Sequence, residues 1–183
     1  AGDLGVGWRL ASAPAATGDA VRLWDDDPSA LAWMAPHGCT GVEVIAWDEH
    51  PIAPELLAPH SAPDVLVEAF GCDPAPAVIE QFADAAARDG RKRCWINLEY
   101  LSAEPYVERL HGLASPVFRG PGAGLAKYFF YPGFTAATGG LLREGGLPAR
   151  RAAFDKKAWL ASQGIDWRGE RIVSLFSYEP PAL

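Results

Sequence analysis

The sequence lacks the features that mark secreted, membrane-spanning or nucleic-acid-binding proteins. Its three cysteines, Cys39, Cys72 and Cys94, are scattered and form no C-x-x-C pair, which favours reduced thiols in the cytosol over disulfides or a zinc site. No apolar run approaches the ~20 residues that cross a bilayer, and we expect no signal peptide. The formal net charge of −7 argues against nucleic acid or an anionic membrane surface as the main partner.

Signatures of several enzyme classes are missing as well. The four histidines show no metal-ligand spacing. Ser29 and Ser174 lie outside any G-x-S-x-G setting, which disfavours a serine hydrolase. The opening glycines follow the spacing G-x-x-G-x-G instead of the dinucleotide fingerprint G-x-G-x-x-G, so a nicotinamide-dependent reductase is the least favoured enzyme.

What is present is sufficient for one packed domain. The 183 residues are 49% hydrophobic and include 7 Trp, 8 Phe and 5 Tyr, a composition typical of a globular protein with a sizeable core. The chain starts without methionine, inside a stretch that has the character of a motif. We therefore expect a fragment of a longer protein.

Runs of β-branched and aromatic residues alternate with stretches of helical periodicity along the chain. The predicted strands span 20–24, 41–47, 64–70, 94–100, 126–131 and 171–176, and the predicted helices 8–16, 27–34, 75–89, 102–110 and 148–163. Pro14 is expected to end or kink the first helix. This alternation predicts an α/β fold with a doubly wound, Rossmann-like sheet, whose ligands bind beyond the carboxyl ends of the strands. That rule selects six polar residues at strand ends: Glu68, Asn97, Glu99, Tyr100, Tyr131 and Tyr178.

The stretch Gly2-Asp3-Leu4-Gly5-Val6-Gly7 is the first candidate site. Glycines let a backbone turn tightly and approach a ligand, and the start of a helix offers free N–H groups to anions. Asp3 in such a loop can act as a general base or orient a cationic substrate. The alternative is a simple turn followed by an N-cap, which is the more common role of a lone Gly-Asp-x-Gly.

Asn97 and Glu99 form the second candidate site, because side chains two residues apart lie on the same face of a strand. An amide beside a carboxylate at the end of a sheet suits recognition of a guanidinium or of a pair of sugar hydroxyls. The alternative is that Glu99 is structural and pairs with Arg9 or Arg143, or caps the next helix. The residues alone leave both interpretations open.

The opening stretch, extended to GDLGVGWRLA at 2–11, resembles the N-terminal signature of the protein-arginine rhamnosyltransferases that modify elongation factor P. Five further blocks resemble the same family. They are VEAFGC at 67–72, WINLEYLS at 95–102, KYFFYPGFT at 127–135, TGGLLRE at 138–144 and SLFSYE at 174–179. The blocks occur in the expected order and span the whole chain, so the resemblance is more specific than any single motif.

The resemblance implies a GT-B architecture, in which two Rossmann-like domains enclose the active site. It implies an inverting, metal-independent transfer of L-rhamnose from dTDP-β-L-rhamnose to one arginine of elongation factor P in the bacterial cytoplasm, with no cofactor. Residues 1–164 would then be the acceptor-binding N-terminal domain without its first strand. Residues 165–183 would be a linker and the first strand of the donor-binding domain, and we expect such a fragment to be inactive alone.

Residue roles follow from the same resemblance. Asp3 matches the second Asp of the family's Asp-Asn-Phe-Gly-Asp motif and would be the general base, and Gly2 before it would approach the donor. Phe176 and Tyr178 match aromatic residues that line the donor pocket. The acceptor contacts are assigned to Asn97, Glu99 and Tyr100.

Two other functions are compatible with these residues. One is a GT-B transferase with a different sugar or acceptor, and the other is a catalytically silent module that docks a partner protein. The first Asp of the family motif and the catalytic Glu of the C-terminal domain have no counterpart in this chain.

Overall fold

The predicted alternation of strands and helices is confirmed in a computed structural model, which describes residues 2–47 and 52–174. The strands in these residues are β1 (Val21–Asp25), β2 (Val42–Ala46), β3 (Val65–Ala69), β4 (Cys94–Leu98), β5 (Ala114–Pro116) and β6 (Ala126–Phe130). The α-helices are α1 (Gly2–Ala15), α2 (Leu31–Met34), α3 (Pro76–Asp89), α4 (Tyr106–Leu110), α5 (Leu147–Ala152) and α6 (Lys156–Ser162). Short 3₁₀ turns cover Pro28–Ala30, Pro54–Leu57 and Pro59–Ser61.

Within the described ranges, the strands form two sheets instead of the single doubly wound sheet predicted from the sequence. Strands β1 and β2 pair in parallel, and the second sheet has the order β3-β4-β6-β5. Strands β3, β4 and β6 are parallel, while β5 runs antiparallel to β6 at one edge. The fold is therefore α/β with mixed sheets, which is compatible with a Rossmann-like arrangement.

The chain divides into two compact units, residues 1–143 and 144–183. All described strands lie in the first unit. The second unit contains α5 and α6. The assignment of residues 165–183 to a donor-binding domain stays a prediction. In the described part of the chain, no helix has both the length and the apolar character needed to span a bilayer, and all three cysteines are free thiols, as predicted.

Helix α3 supplies much of the core of the first unit. Its first residue, Pro76, has the fixed φ that suits the start of a helix, and Gly90 ends it at φ +64°. Phe82 is 1% exposed and meets Trp95 of β4 edge to face, with ring centroids 6.2 Å apart. Burial of a side chain of this size contributes about 2–3 kcal/mol, so this contact ties α3 to the centre of the larger sheet.

Helix α1 begins at Gly2, so the opening glycines lie in a helix and not in the predicted loop. Pro14 lies in its last turn, and the helix ends one residue later, as the sequence predicts. The glycines permit close packing: a Cβ on Gly5 would lie 3.0 Å from Met34 Cε, and one on Gly7 would lie 3.3 Å from Leu23 Cδ1. Small residues on this side of α1 therefore let it approach β1 and α2.

Three other predicted elements differ from the structure. The helix predicted over 148–163 is two helices, α5 and α6, because Asp155 caps the second one by accepting a hydrogen bond from the Ala158 N–H at 2.9 Å. The helix predicted from residue 102 begins at Tyr106. Residues 171–174 are irregular instead of starting a strand, and residues 175–176 lie outside the described part. Strand β5 was not predicted, because three residues that end in a proline show no alternation of apolar and polar side chains.

A partly buried ion pair and a tryptophan side chain join the three parallel strands of the larger sheet. Glu68 of β3 is 5% exposed. It accepts hydrogen bonds from Lys127 Nζ of β6 at 2.6 Å and from Trp95 Nε1 of β4 at 3.1 Å. The Lys127 ammonium also lies 4.7 Å from the centroid of the Trp95 ring, a cation–π distance. Glu68 is therefore a structural residue, and its partners leave it no role as a free strand-end ligand.

We predict that Lys127→Met lowers the free energy of unfolding by about 3 kcal/mol, because it leaves the Glu68 carboxylate buried without its cation. Arg91→Met is the matched control. Arg91 pairs with Asp64 at 3.0 Å, with more than half of both side chains exposed, and such pairs contribute less than about 1 kcal/mol. Urea unfolding of the full-length protein measures both changes. Equal effects of the two substitutions would contradict the prediction.

Candidate active site

Asp3 lies in the first turn of α1 and is exposed to solvent. A carboxylate at this position is favoured by the helix dipole and by the unpaired N–H groups of the first turn. Asp3 Oδ2 accepts a hydrogen bond from the Tyr100 hydroxyl at 3.0 Å. The structure thus joins two predicted site residues that are 97 positions apart in the sequence.

Tyr100 follows the carboxyl end of β4 and is held there by two contacts. The preceding residue, Glu99, donates its N–H to the Phe130 carbonyl at 2.9 Å. The Tyr100 ring stacks on Phe70, with centroids 4.5 Å apart and an interplanar angle of 22°. The end of β3, the end of β4 and the start of α1 therefore meet at one place, as the rule for parallel sheets predicts.

Phe70, which makes this stacking contact, has an unusual backbone conformation. Its φ is +58°, and it is the only described non-glycine residue with a positive φ. A bulky residue in this region carries a cost of about 1–3 kcal/mol. Its N–H still donates to the Leu98 carbonyl at 2.8 Å, so the turn is anchored to β4 while the ring packs on Tyr100.

The hydrogen bond to Asp3 raises the pKa of Tyr100 above its usual value of 10.0. Partial desolvation and the negative charges of Asp3 and Glu99 act in the same direction. The phenol therefore stays protonated at neutral pH and remains a hydrogen-bond donor to the carboxylate.

An acidic cleft lies beside Asp3. It has a volume of about 200 Å³ and is lined by Asp3, Leu4, Asp25, Asp26, Asp27 and Ala30. Asp25 ends β1, and its Oδ1 accepts a hydrogen bond from the Asp27 N–H at 3.0 Å. Asp27 Oδ1 in turn accepts from the Ser29 N–H at 3.1 Å and caps the following turn. Four carboxylates around one small cleft create a negative potential that attracts an organic cation.

Asp25, Asp26 and Asp27 were not predicted as site residues from the sequence. The available signal was their position directly after a predicted strand, where a parallel sheet places its ligands. Their proximity to Asp3 depends on the packing of α1 against β1, which local patterns do not reveal.

Asn97 and Glu99 contact each other as predicted: Asn97 Nδ2 donates to Glu99 Oε1 at 2.7 Å. Asn97 is 8% exposed, so the bond orients the less buried Glu99 side chain. Burial raises the pKa of nearby Tyr131, with smaller contributions from Glu99 and Tyr106. The role of Asn97 and Glu99 in acceptor binding stays a prediction.

Of the remaining predicted site residues, the structure describes only Gly2. Gly2 is the first residue of α1 and precedes Asp3. Phe176 and Tyr178 lie outside the described residues, so their assignment to a donor pocket stays a prediction. Over residues 2–47 and 52–174, no three His, Cys, Asp or Glu side chains are arranged to hold a metal ion.

We predict that the Asp27 carboxyl titrates below its usual pKa of 3.8, because hydrogen bonds from the Ser29 side chain and then from its backbone N–H lower the pKa. A lowered pKa in the folded protein means that the stabilising effect is present above pH 3.8 and is lost as the pH falls through the lower native value. NMR titration of labelled aspartates measures the pKa of Asp27. Ser29→Ala should raise this pKa part of the way back to 3.8, and a native value at or above 3.8 would contradict the prediction.

Comparison with known proteins identifies the family. Residues 1–183 match the family described as Elongation-Factor P (EF-P) rhamnosyltransferase EarP. The chain is 44% identical to a protein-arginine rhamnosyltransferase of Pseudomonas aeruginosa, across all of this chain and 49% of the relative. It is 43% identical to the protein of that name from Pseudomonas putida and 34% identical to that from Shewanella oneidensis, each across all of this chain and 48% of the relative.

The chain therefore spans about half the length of the curated relatives that it matches. The family match covers the full 183 residues, including the whole described α/β fold. The chain belongs to the EarP family of elongation-factor P rhamnosyltransferases.

Proposed function

We propose that the full-length protein transfers L-rhamnose from dTDP-β-L-rhamnose to an arginine side chain of elongation factor P, with inversion at the anomeric carbon. Membership of the EarP family and the names of the relatives support this reaction class. The observation that carries the proposal is the position of Asp3, beside a cleft lined by three further carboxylates. Such a cleft suits the planar, cationic guanidinium of arginine.

Chemistry at the guanidinium needs a base. With a pKa of about 12.5–13.8, the free arginine side chain is protonated and is a poor nucleophile. Asp3 removes one N–H proton as that nitrogen attacks the anomeric carbon of rhamnose. The bond from this carbon to the diphosphate oxygen breaks, and its electron pair leaves with dTDP. The product is a rhamnosylated guanidinium, and Asp3 later releases its proton to solvent.

In this mechanism, the acidic cleft binds the acceptor arginine. Asp25, Asp26 and Asp27 lower the energy of the approaching cation and hold its N–H groups near Asp3. We assign Asn97 and Glu99 to further acceptor contacts on the neighbouring strand end. These assignments make residues 1–164 the acceptor-binding half of a GT-B enzyme.

Donor binding belongs to the other half in this proposal. Phe176 and Tyr178 line the donor pocket, and Gly2 at the start of α1 approaches the nucleotide sugar. The N–H groups of the first helical turn favour the developing charge on the departing diphosphate. No cofactor and no metal take part, and the enzyme acts in the bacterial cytoplasm, where its acceptor functions in translation.

We predict that Asp3→Asn lowers the transfer rate at least about 100-fold, because a positioned general base contributes this much or more. Elongation factor P should still bind, since Asp25, Asp26 and Asp27 remain. The control is Asp19→Asn, an exposed aspartate beyond the opposite end of α1, which should leave the rate unchanged. The assay incubates full-length protein with elongation factor P and dTDP-L-rhamnose and records the gain of one deoxyhexose by intact mass.

Retained transfer by Asp3→Asn would remove Asp3 as the base. No transfer by the unchanged protein, with elongation factor P still bound, would favour a different sugar donor or a docking module.

We predict that Asp26→Asn raises the KM for elongation factor P about 3- to 10-fold with kcat within twofold, because one negative charge is lost from the cleft while the base stays in place. The increase should shrink at high ionic strength. Asp19→Asn again serves as the control. An unchanged KM at low salt would show that the acceptor arginine does not enter this cleft.

A further inference from the structure

We propose that Tyr100 is a positioning residue for Asp3: its hydroxyl holds the carboxylate in one orientation, and Phe70 holds the Tyr100 ring in place. This inference rests on the proposed function, in which Asp3 is the base. It changes the role of Tyr100, which the sequence assigned to acceptor binding. The hydrogen bond of 3.0 Å and the ring stacking at 4.5 Å carry the argument.

Asp3 needs such a partner because of its surroundings. It is exposed in the first turn of a helix, where a short side chain is free to rotate between rotamers. Asp25, Asp26 and Asp27 line the same cleft and repel its negative charge. A neutral donor, the Tyr100 hydroxyl, fixes Oδ2 without neutralising the carboxylate. The second oxygen, Oδ1, is then left to face a substrate N–H.

Tyr100 suits this task better than a cationic residue would. A lysine or arginine at the same place would compete with the acceptor guanidinium for the carboxylates of the cleft. The raised pKa of Tyr100 keeps its proton on the phenol. Because a hydroxyl has only one proton, its donation to Asp3 excludes a simultaneous donation to another group.

Phe70 completes the arrangement through its backbone. Both Phe70 and the next residue, Gly71, have positive φ values, +58° and +75°. A glycine at position 70 would adopt this conformation without strain. Phenylalanine at this strained position instead provides a ring that stacks on Tyr100. Phe70 lies at the end of β3, and its ring contacts Tyr100, the partner of the candidate base. We infer from this backbone strain that the position of the Phe70 ring matters for the site.

The test is a steady-state comparison of full-length variants. Tyr100→Phe keeps the ring that stacks on Phe70 and removes only the hydroxyl. We expect kcat to fall about tenfold, with the KM for elongation factor P within twofold, because the lost hydrogen bond to a charged group orients the base and not the acceptor. Tyr128→Phe is the matched control, since Tyr128 is a half-exposed tyrosine on β6, and it should leave both constants unchanged.

A second variant tests the link through Phe70. Phe70→Leu removes the stacked ring, and we expect it to lower kcat severalfold in the unchanged protein. In a Tyr100→Phe background it should cause little further loss, because both changes act on the same hydrogen bond. Additive losses would show that Phe70 acts independently of the Tyr100 hydroxyl and would overturn this link.

The outcomes separate this inference from the proposed function. Transfer by Asp3→Asn would overturn both. Loss of transfer in Asp3→Asn with wild-type kinetics in Tyr100→Phe would overturn only the positioning role. A raised KM with unchanged kcat in Tyr100→Phe would show that Tyr100 binds the acceptor instead. A tenfold lower kcat with unchanged KM and an unchanged melting temperature supports the inference.

Discussion

The candidate site depends on the close packing of α1 against β1 and α2. Gly5 and Gly7 permit this approach, since a Cβ on either residue would lie within 3.3 Å of a neighbouring side-chain carbon. The packing carries Asp3, at the start of the helix, to the acidic turn that follows β1. A larger residue at either glycine would require the end of the Met34 or Leu23 side chain to move if the helix is to keep this approach.

The second part of the site comes from the larger sheet, in which a partly buried ion pair joins two of the strands. Glu68, Trp95 and Lys127 link neighbouring strands within the covered face of that sheet. The parallel pairing of β3 with β4 places the ends of the two strands side by side, and these ends carry Phe70 and Tyr100. Contacts away from the candidate site therefore help to hold together the strands that carry the partner of Asp3.

Local sequence patterns predicted the strands and helices correctly where short-range interactions determine them. Strands β1 to β4, β6 and helix α3 lie within about two residues of the predicted bounds, because β-branched runs, proline starts and glycine ends act over a few residues. The prediction was wrong for the opening stretch, since glycine propensity points to a loop while packing against Met34 and Leu23 favours a helix. It was wrong again for residues 148–163, where the cap at Asp155 starts a new helix.

By itself, the sequence determined the α/β class, the family and the placement of Asn97 beside Glu99. Each of these depends on residue order or on the twofold period of a strand. Only the tertiary structure decided that Asp25, Asp26 and Asp27 gather around Asp3, that Tyr100 donates to Asp3 and that Phe70 stacks on Tyr100. These contacts join distant parts of the chain, and the free energy that brings them together comes from burying the faces of helices and sheets.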